Sequence, residues 1–472
     1  MFETEVGLGL ERGWAAQEVQ GALLRDERFR RVMIEILEAR ASQIGVSFSS
    51  MCGNPLRQAA GRLLRHEDTE PNDLLLGHRQ ATLNRCLSER TIVVAQDSSS
   101  YNYSTHTATT GLGPINDSKT AAGIHQHSAL AMTPDKFPLG VVDAHFWARS
   151  AEKLTAAQRR KKPIEDKESY RWLRTTKQIE ELFAPYLHQG GQVVVVADRE
   201  ADIFELLAQE RSAGLELIIR AAQPRRVEVR GSGSLCSLWE AADQGEGMGE
   251  YTLLVSGRTK AQDREATMGL RCSCVKIQPP QGGVGHSKEA IAVRIVHAQE
   301  VLPEGSKSKA LEWTMITTLE VTDMATARRV LDLYTCRWEI ERLHYTLKSG
   351  CQAEHLQMDD LDTLCNTLAL YLIVAWRLLY VTHLGRVAPE TCVEQILAPA
   401  EVSVLNQKNR DPILTVSQAI VAIAKLGGFE PYKGGPLPGV KVIWIGLRKL
   451  ESMAVGWQLA MDSIRTQNVI QA

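Results

Sequence analysis

Tyr334, Arg337, Glu341 and Lys348 are spaced so that one face of a single helix would carry all four. An α-helix turns about 100° per residue, so Arg337, Glu341 and Lys348 project within roughly 60° of Tyr334, along a column about 20 Å long. A phenol, a guanidinium, a carboxylate and an ammonium on one stripe suit a site that handles a metal ion together with a polyanion. Glu339 points about 140° away and falls outside the stripe. The same spacing makes an ordinary (i, i+4) ion pair of Arg337 and Glu341 on a solvated helix, and the stripe alone does not separate the two readings.

Two acids upstream share one context. Residues 91–97, TIVVAQD, form an apolar run ending in Asp97, with Ser98-Ser99-Ser100 opening a loop. Residues 192–198, QVVVVAD, place four valines in a row before Asp198, a pattern for a strand covered on both faces. Arg199-Glu200-Ala201-Asp202 then opens a helix. Alone, Asp97 is a turn residue and Asp198 an N-cap. If the two strands are neighbours, both carboxylates meet at the strand ends where α/β sites form. His125 and His127 share a face of a predicted hairpin (125–132 with 139–144), but no third ligand stands near. They are read as sheet histidines rather than a metal pair.

The elements that would position these groups fall into blocks. Residues 1–75 read as helices, with Asp26 capping a segment whose Val32, Ile34, Ile36 and Leu37 supply a core side. This region is rich in arginine, including Arg25, Arg28, Arg30, Arg31, Arg62 and Arg65. That suits backbone phosphates or, equally, a solvated cationic face. From 149 to 177 there are ten Lys or Arg against four Asp or Glu, peaking at Arg159-Arg160-Lys161-Lys162. This is the strongest local electrostatic footprint in the chain, and it leads into Lys167-Glu168-Ser169-Tyr170-Arg171-Trp172, which starts an amphipathic helix running to about Leu187. A strand is expected over 214–221. From about 223 to 319, short alternating runs between turns such as PPQGGVG read as an antiparallel β insertion. Asp323 caps a helix closed by Gly350. Residues 359–384 form an apolar helix that contains Arg377, read as a core helix or a partner surface rather than a membrane span. Further helices follow, with loops at Gly427-Gly428-Phe429 and Lys433-Gly434-Gly435-Pro436.

The bulk numbers set bounds. The chain has 472 residues, 44% hydrophobic and 23% charged, in the range of globular proteins with two to four domains. A net charge of −2 gives no global field for nucleic acid, so local patches must decide. Nine cysteines without an even framework point to a reduced, cytosolic chain. The acidic MFETEVGLGLERGW start does not read as a signal peptide, and no membrane partner is expected.

The residues also match a known family. Tyr334, two residues, Arg337, three residues, Glu341, six residues, Lys348 resembles the Y-(2)-R-(3)-E-(6)-K signature of bacterial cut-and-paste transposases of insertion-sequence family four. That family belongs to the RNase H-like, retroviral-integrase superfamily. Asp198-Arg199-Glu200-Ala201-Asp202 resembles its second-aspartate motif, and Asp97 after an apolar strand its first. Lys167-Glu168-Ser169 with Trp172, and Leu426-Gly427-Gly428-Phe429, are similar too.

The resemblance implies an α/β fold, with an RNase H-like mixed-sheet core interrupted by an antiparallel β insertion and flanked by helical domains. The implied division is 1–75 for DNA binding, 76–222 and 323–385 for the core, 223–322 for the insertion and 386–472 for dimerisation. Asp97, Asp198 and Glu341 would hold two Mg²⁺ ions, with Mn²⁺ able to substitute. Such ions lie about 3.5–4 Å apart in two-metal sites. Tyr334, Arg337 and Lys348 would grip phosphates, and Trp313 would stack on a flipped base, worth roughly 1–3 kcal/mol. Arg28, Arg31 and Arg62 are the candidates for contacts to the element ends. Partners would be the terminal inverted repeats, the target DNA and a second copy of the chain in a paired-end complex on nucleoid DNA. Two other readings are a catalytically silent DNA-binding repressor or domesticated protein, and an RNase H-like nuclease without strand transfer.

Overall fold

The computed structural model describes residues 13–471 apart from 25, 44–45, 116–119, 151–154, 156–157, 159–160, 232, 256–262, 281–288, 304, 306–308 and 433–436. Arg25, Arg159-Arg160 and the 433–436 turn therefore lie outside the described residues.

Among the described residues, the N-terminal part holds five helices: α1 (Trp14–Val19), α2 (Glu27–Ser42), α3 (Phe48–Met51), α4 (Asn54–Leu64) and α5 (Pro71–Cys86). The Asp26 side chain caps α2 by accepting the Arg28 N–H. Met33, Ile36 and Leu37 are the buried apolar residues of α2, at helical spacing, while Val32 and Ile34 are half-buried. Ile36 and Leu37 are in the core as expected, Val32 and Ile34 pack against its edge, and Met33 is the core residue not foreseen. Arg40, on the same stripe, is buried with its guanidinium over the Tyr371 ring at 4.6 Å, and it donates to the carbonyls of Val46 and Cys351.

Twelve strands among the described residues form one mixed sheet. In sequence they are β1 (Thr91–Asn102), β2 (Gly113–Pro114), β3 (Ala122–Met132), β4 (Pro138–Trp147), β5 (Gln192–Ala197), β6 (Leu215–Arg220), β7 (Arg226–Val229), β8 (Leu235–Ser237), β9 (Glu246–Val255), β10 (Arg264–Ile277), β11 (Ile291–Glu300) and β12 (Glu312–Thr317). The spatial order is β2-β3-β1-β5-β6-β12-β11-β10-β7-β8, with β4 on β3 and β9 on β10. Only β1–β5 and β5–β6 are parallel pairs. The strands after residue 223 do not build a separate sheet, because β12 pairs with β6 and extends the same one. The valines of β5 are buried, as expected of a strand covered on both faces.

The remaining helices are α6 (Tyr170–His188), α7 (Phe204–Ala208), α8 (Leu238–Asp243), α9 (Met324–Thr335), α10 (Trp338–Tyr345), α11 (Leu361–Val387), α12 (Pro399–Lys408), α13 (Val416–Leu426) and α14 (Val440–Gln471). By length and composition α11 could cross a membrane, but 94% of its most apolar window is buried inside the protein. It is a core helix, packed on α5, β4 and α2. All nine cysteines are free.

A buried ionic cluster ties the first helix to the core. Glu18 on α1 faces His78 at 2.5 Å and Arg85 at 2.7 Å, both on α5. Arg85 also donates to the Leu139 carbonyl and lies over the Trp376 ring. Burial works against ionisation of Glu18, but His78 and Arg85 together hold it down at about 2. Glu18→Ala leaves a guanidinium and an imidazole without their buried partner. It should lower unfolding free energy by about 3 kcal/mol, read from the urea midpoint at pH 7.

Candidate active site

The register of three strands sets the positions of the two aspartates. β1 and β5 run parallel in register up to Ala95 beside Val196. Asp97 and Asp198 each lie two residues further on, so they stand level across the pair. β1 does not end at Asp97 as the apolar run suggested. It continues to Asn102, paired with β3 alone. The serines that read as a loop are strand residues. Ser98 faces His127, which bonds to it at 2.9 Å and to Gln96 at 3.1 Å, and Arg171 donates to the Ser98 hydroxyl from α6. Alternate residues point the other way, so Asp97 and Tyr101 face α10 and the segment that follows it.

Each acid has one oxygen engaged with the protein. Asp97 Oδ1 accepts the Ser98 N–H at 2.8 Å. Asp198 Oδ1 accepts the Glu200 N–H at 2.9 Å and caps a short 3₁₀ turn, Arg199–Ala201, where a helix was expected. Glu341 Oε1 accepts from Arg337 at 2.6 Å. The (i, i+4) ion pair of the plain surface-helix reading is therefore real, and it sits beside the other two acids.

The predicted single helix from Asp323 to Gly350 is three segments. Asp323 caps α9 through the Thr326 N–H. At Cys336 and Arg337 the backbone keeps helical dihedrals, but the bonds tighten to i→i−3, with Arg337 N–H on Tyr334 and Ile340 N–H on Arg337. After α10, Thr346–Gly350 widens into a π-helical turn. A constant 100° step therefore does not hold from 334 to 348. Tyr334 is buried rather than on an open edge, its hydroxyl without a partner, with the Arg337 guanidinium 5.9 Å from its ring. Lys348 lies with its ammonium 5.3 Å from the Tyr101 ring centre. Glu339 is buried on the far side, paired with Arg342 and His383, both at 3.1 Å.

The charges of these groups are felt together. Burial pushes the Asp97 carboxyl up to about 7, and the neighbouring Asp198 and Glu341 add to the rise against the Ser98 N–H and Arg337. Burial pulls Lys348 down, against Glu354 and Asp97. Three hard-oxygen donors with a charge deficit among them fit a divalent cation by chemistry. Among the described residues, however, no three His, Cys, Asp or Glu side chains already stand at metal-ligand spacing.

Trp313 on β12 is half-buried and meets Trp338, at the start of α10, edge to face at 6.4 Å. The N-terminal arginines are not brought to the acids. Arg28 is exposed and paired with Asp26, and Arg31 is exposed on α2. Arg62 lines a groove of about 1410 Å³ with Arg57, Arg65, His66 and His355, between α4 and the segment after Lys348. Sequence reasoning missed Tyr101, Ser128, Trp338 and His344. His344 and Trp338 lie between Tyr334 and Lys348 in the sequence. Tyr101 and Ser128 belong to the site only through strand register.

Comparison with known families matches residues 11–69 to a transposase DNA-binding model, 172–377 to a transposase DDE domain and 373–466 to the Transposase Tn5 dimerisation domain. The chain carries the domains of a DDE transposase. Arg28, Arg31 and Arg62 fall in the first match. Asp198, Trp313, Tyr334, Arg337, Glu341 and Lys348 fall in the second, and Asp97 precedes it. Among solved structures, a cryo-EM structure of the piggyBac transposase synaptic complex with hairpin DNA aligns over 96% of this chain and 79% of that one, at 10% identity and a TM-score of 0.35.

The raised Asp97 carboxyl gives this transposase a pH signature. The folded value, about 7, lies above the ordinary 3.8. Between the two, the folded state holds a proton that the unfolded chain has lost, so stability falls as pH rises through that window and the penalty is complete above it. In EDTA at pH 8, Asp97→Asn should melt a few degrees above the wild type, with the two converging towards pH 4. A melting difference independent of pH would contradict the assignment.

Proposed function

We propose that this transposase moves an insertion sequence by cut-and-paste chemistry, as the family-four signature implies. Asp97, Asp198 and Glu341 form its Mg²⁺-dependent centre. The reading is carried by one observation: two aspartates level across a parallel strand pair, with Glu341 near enough to raise Asp97. These three acids would hold the cations, and the chemistry so supplied would be activation of the attacking oxygen and stabilisation of the leaving one, for water in nicking and for a 3′-hydroxyl in hairpin formation and strand transfer.

The chain's own residues do the rest. Asp97 must release its proton before a cation enters, so metal affinity rises with pH up to about 7. Arg337 uses one arm on Glu341, and its buried Nε has no hydrogen-bond partner among the described residues; we assign its free donor capacity to a phosphate oxygen. Lys348, held over Tyr101, adds a second cation on the same side. Trp313 stacks on a displaced base beside Trp338. Arg62 and its groove neighbours contact the element ends together with Arg28 and Arg31, and the C-terminal helices pair two copies across two ends. The division at 1–75, 76–222 with 323–385, 223–322 and 386–472 is part of this proposal, as is action on nucleoid DNA in the cytoplasm.

With Mg²⁺ and DNA carrying the element's ends, the purified protein should give hairpinned and joined products. Asp97→Ala, Asp198→Ala and Glu341→Ala should each lower product formation by roughly 10³-fold or more while still shifting the DNA in a gel. Trp313→Ala should keep nicking and lose about tenfold in hairpin formation. A wild type that only shifts DNA, with Glu341→Ala shifting it identically, would mean a silent binding protein. Nicks without joining would mean a nuclease.

A further inference from the structure

Asp97 on β1 and Ser128 on β3 are direct partners in the antiparallel register, so their side chains rise from the same face of the sheet. α10 packs on β1 over that face. His344, on α10, comes down between the pair. Its Nε2 shares a 2.7 Å hydrogen bond with the Ser128 hydroxyl, and its Nδ1 lies 3.8 Å from Asp97 Oδ2. Ser128 is completely buried and His344 is 5% exposed. Glu341 stands one turn earlier on the same helix. A single buried hydrogen bond thus joins the cross-strand neighbour of one acid to the helix that carries another.

Packing alone does not call for this pair. An apolar side chain would fill the space between helix and strand without the cost of burying two polar groups. An imidazole on a hydroxyl adds direction and distance that apolar contact lacks.

We propose that His344 is a positioning residue: through Ser128 it fixes the height of Glu341 over Asp97, and so the separation at which two carboxylates on different elements can share a divalent cation. This rests on the assignment of Asp97, Asp198 and Glu341 as the cation-holding acids. Outer-shell partners that orient ligands typically contribute 10–100-fold in metal affinity, and this bond orients a helix rather than a single ligand.

The test is Mn²⁺ binding to the full-length protein without DNA, with free ion followed by electron paramagnetic resonance. Ser128→Ala and His344→Ala should weaken binding roughly 10–100-fold. His344→Gln, whose amide nitrogen reaches the place of Nε2, should return it towards the wild-type value. Asp97→Asn is the control for the underlying assignment. If it binds Mn²⁺ like the wild type, both the assignment and this inference fall. If Asp97→Asn loses binding while Ser128→Ala retains it, the positioning role alone is overturned. Glutamine no better than alanine at 344 overturns it equally. Should His344→Ala not fold, Ser128→Ala and His344→Gln decide the matter, since neither leaves a large cavity.

Discussion

The burial of one carboxylate beside two others is the constraint to which the rest of this structure answers. Asp97 is largely buried, and its proton is held to about neutral pH first by that burial and then by the neighbouring Asp198 and Glu341. Groups that repel do not stay together by themselves. They are held by elements with large apolar cores: β5 with its buried valines, β1 between β3 and β5, and α11, buried along nearly its whole length beneath α10. Stability is given up at the centre and recovered in the surrounding layers, as is usual where a site must be ready before its ligand arrives.

The overrun of β1 past its parallel neighbour shows how one strand serves two charges. Its first five residues pair with β5 and bring Asp97 level with Asp198. Its last residues pair only with β3 and carry Tyr101, the ring that lies under Lys348. Asp97 and Tyr101, the acid and the ring beneath the cation, are therefore set four residues apart on one strand, about 13 Å along its axis. Glu354, which accepts the Asn102 N–H, faces the same ammonium.

What could be read in the sequence followed from local physics. Valine-rich runs announced buried strands, and each run is followed by an acid. Asp26 and Asp323 announced their helices by capping chemistry. The serines after Asp97 were misread because strand serines look like loop serines when their partners, His127 and Arg171, lie far away in the chain. The tightened turn at Cys336–Arg337 carries no glycine or proline, so nothing local marks it, and the π-turn at Thr346–Gly350 is equally silent. The pairing of Asp97 with Ser128, and of β12 with β6, are facts of long-range register. The alternating pattern of residues 223–319 shows antiparallel strands, but no pattern states whether they start a new sheet or lengthen an old one.

That continuity joins parts that a division into domains would separate. Trp313 stands on β12, which is bonded through β6 and β5 to β1, so its distance from the acids is fixed by three strand pairings rather than by a hinge. The C-terminal helix reaches the same centre from the other side. Trp444 on α14 stacks on Tyr345 at 6.3 Å and lies directly against Gly350. A Cβ at Gly350 would come within 2.3 Å of that indole, so glycine is required there by close approach rather than by backbone conformation. Tyr345 ends α10 and Gly350 ends the π-turn that carries Lys348. The segment matched to dimerisation thus rests on both ends of the turn that holds a cation over the site. Any force that displaces α14 is passed through a rigid indole to that turn, because a close-packed contact transmits displacement instead of absorbing it.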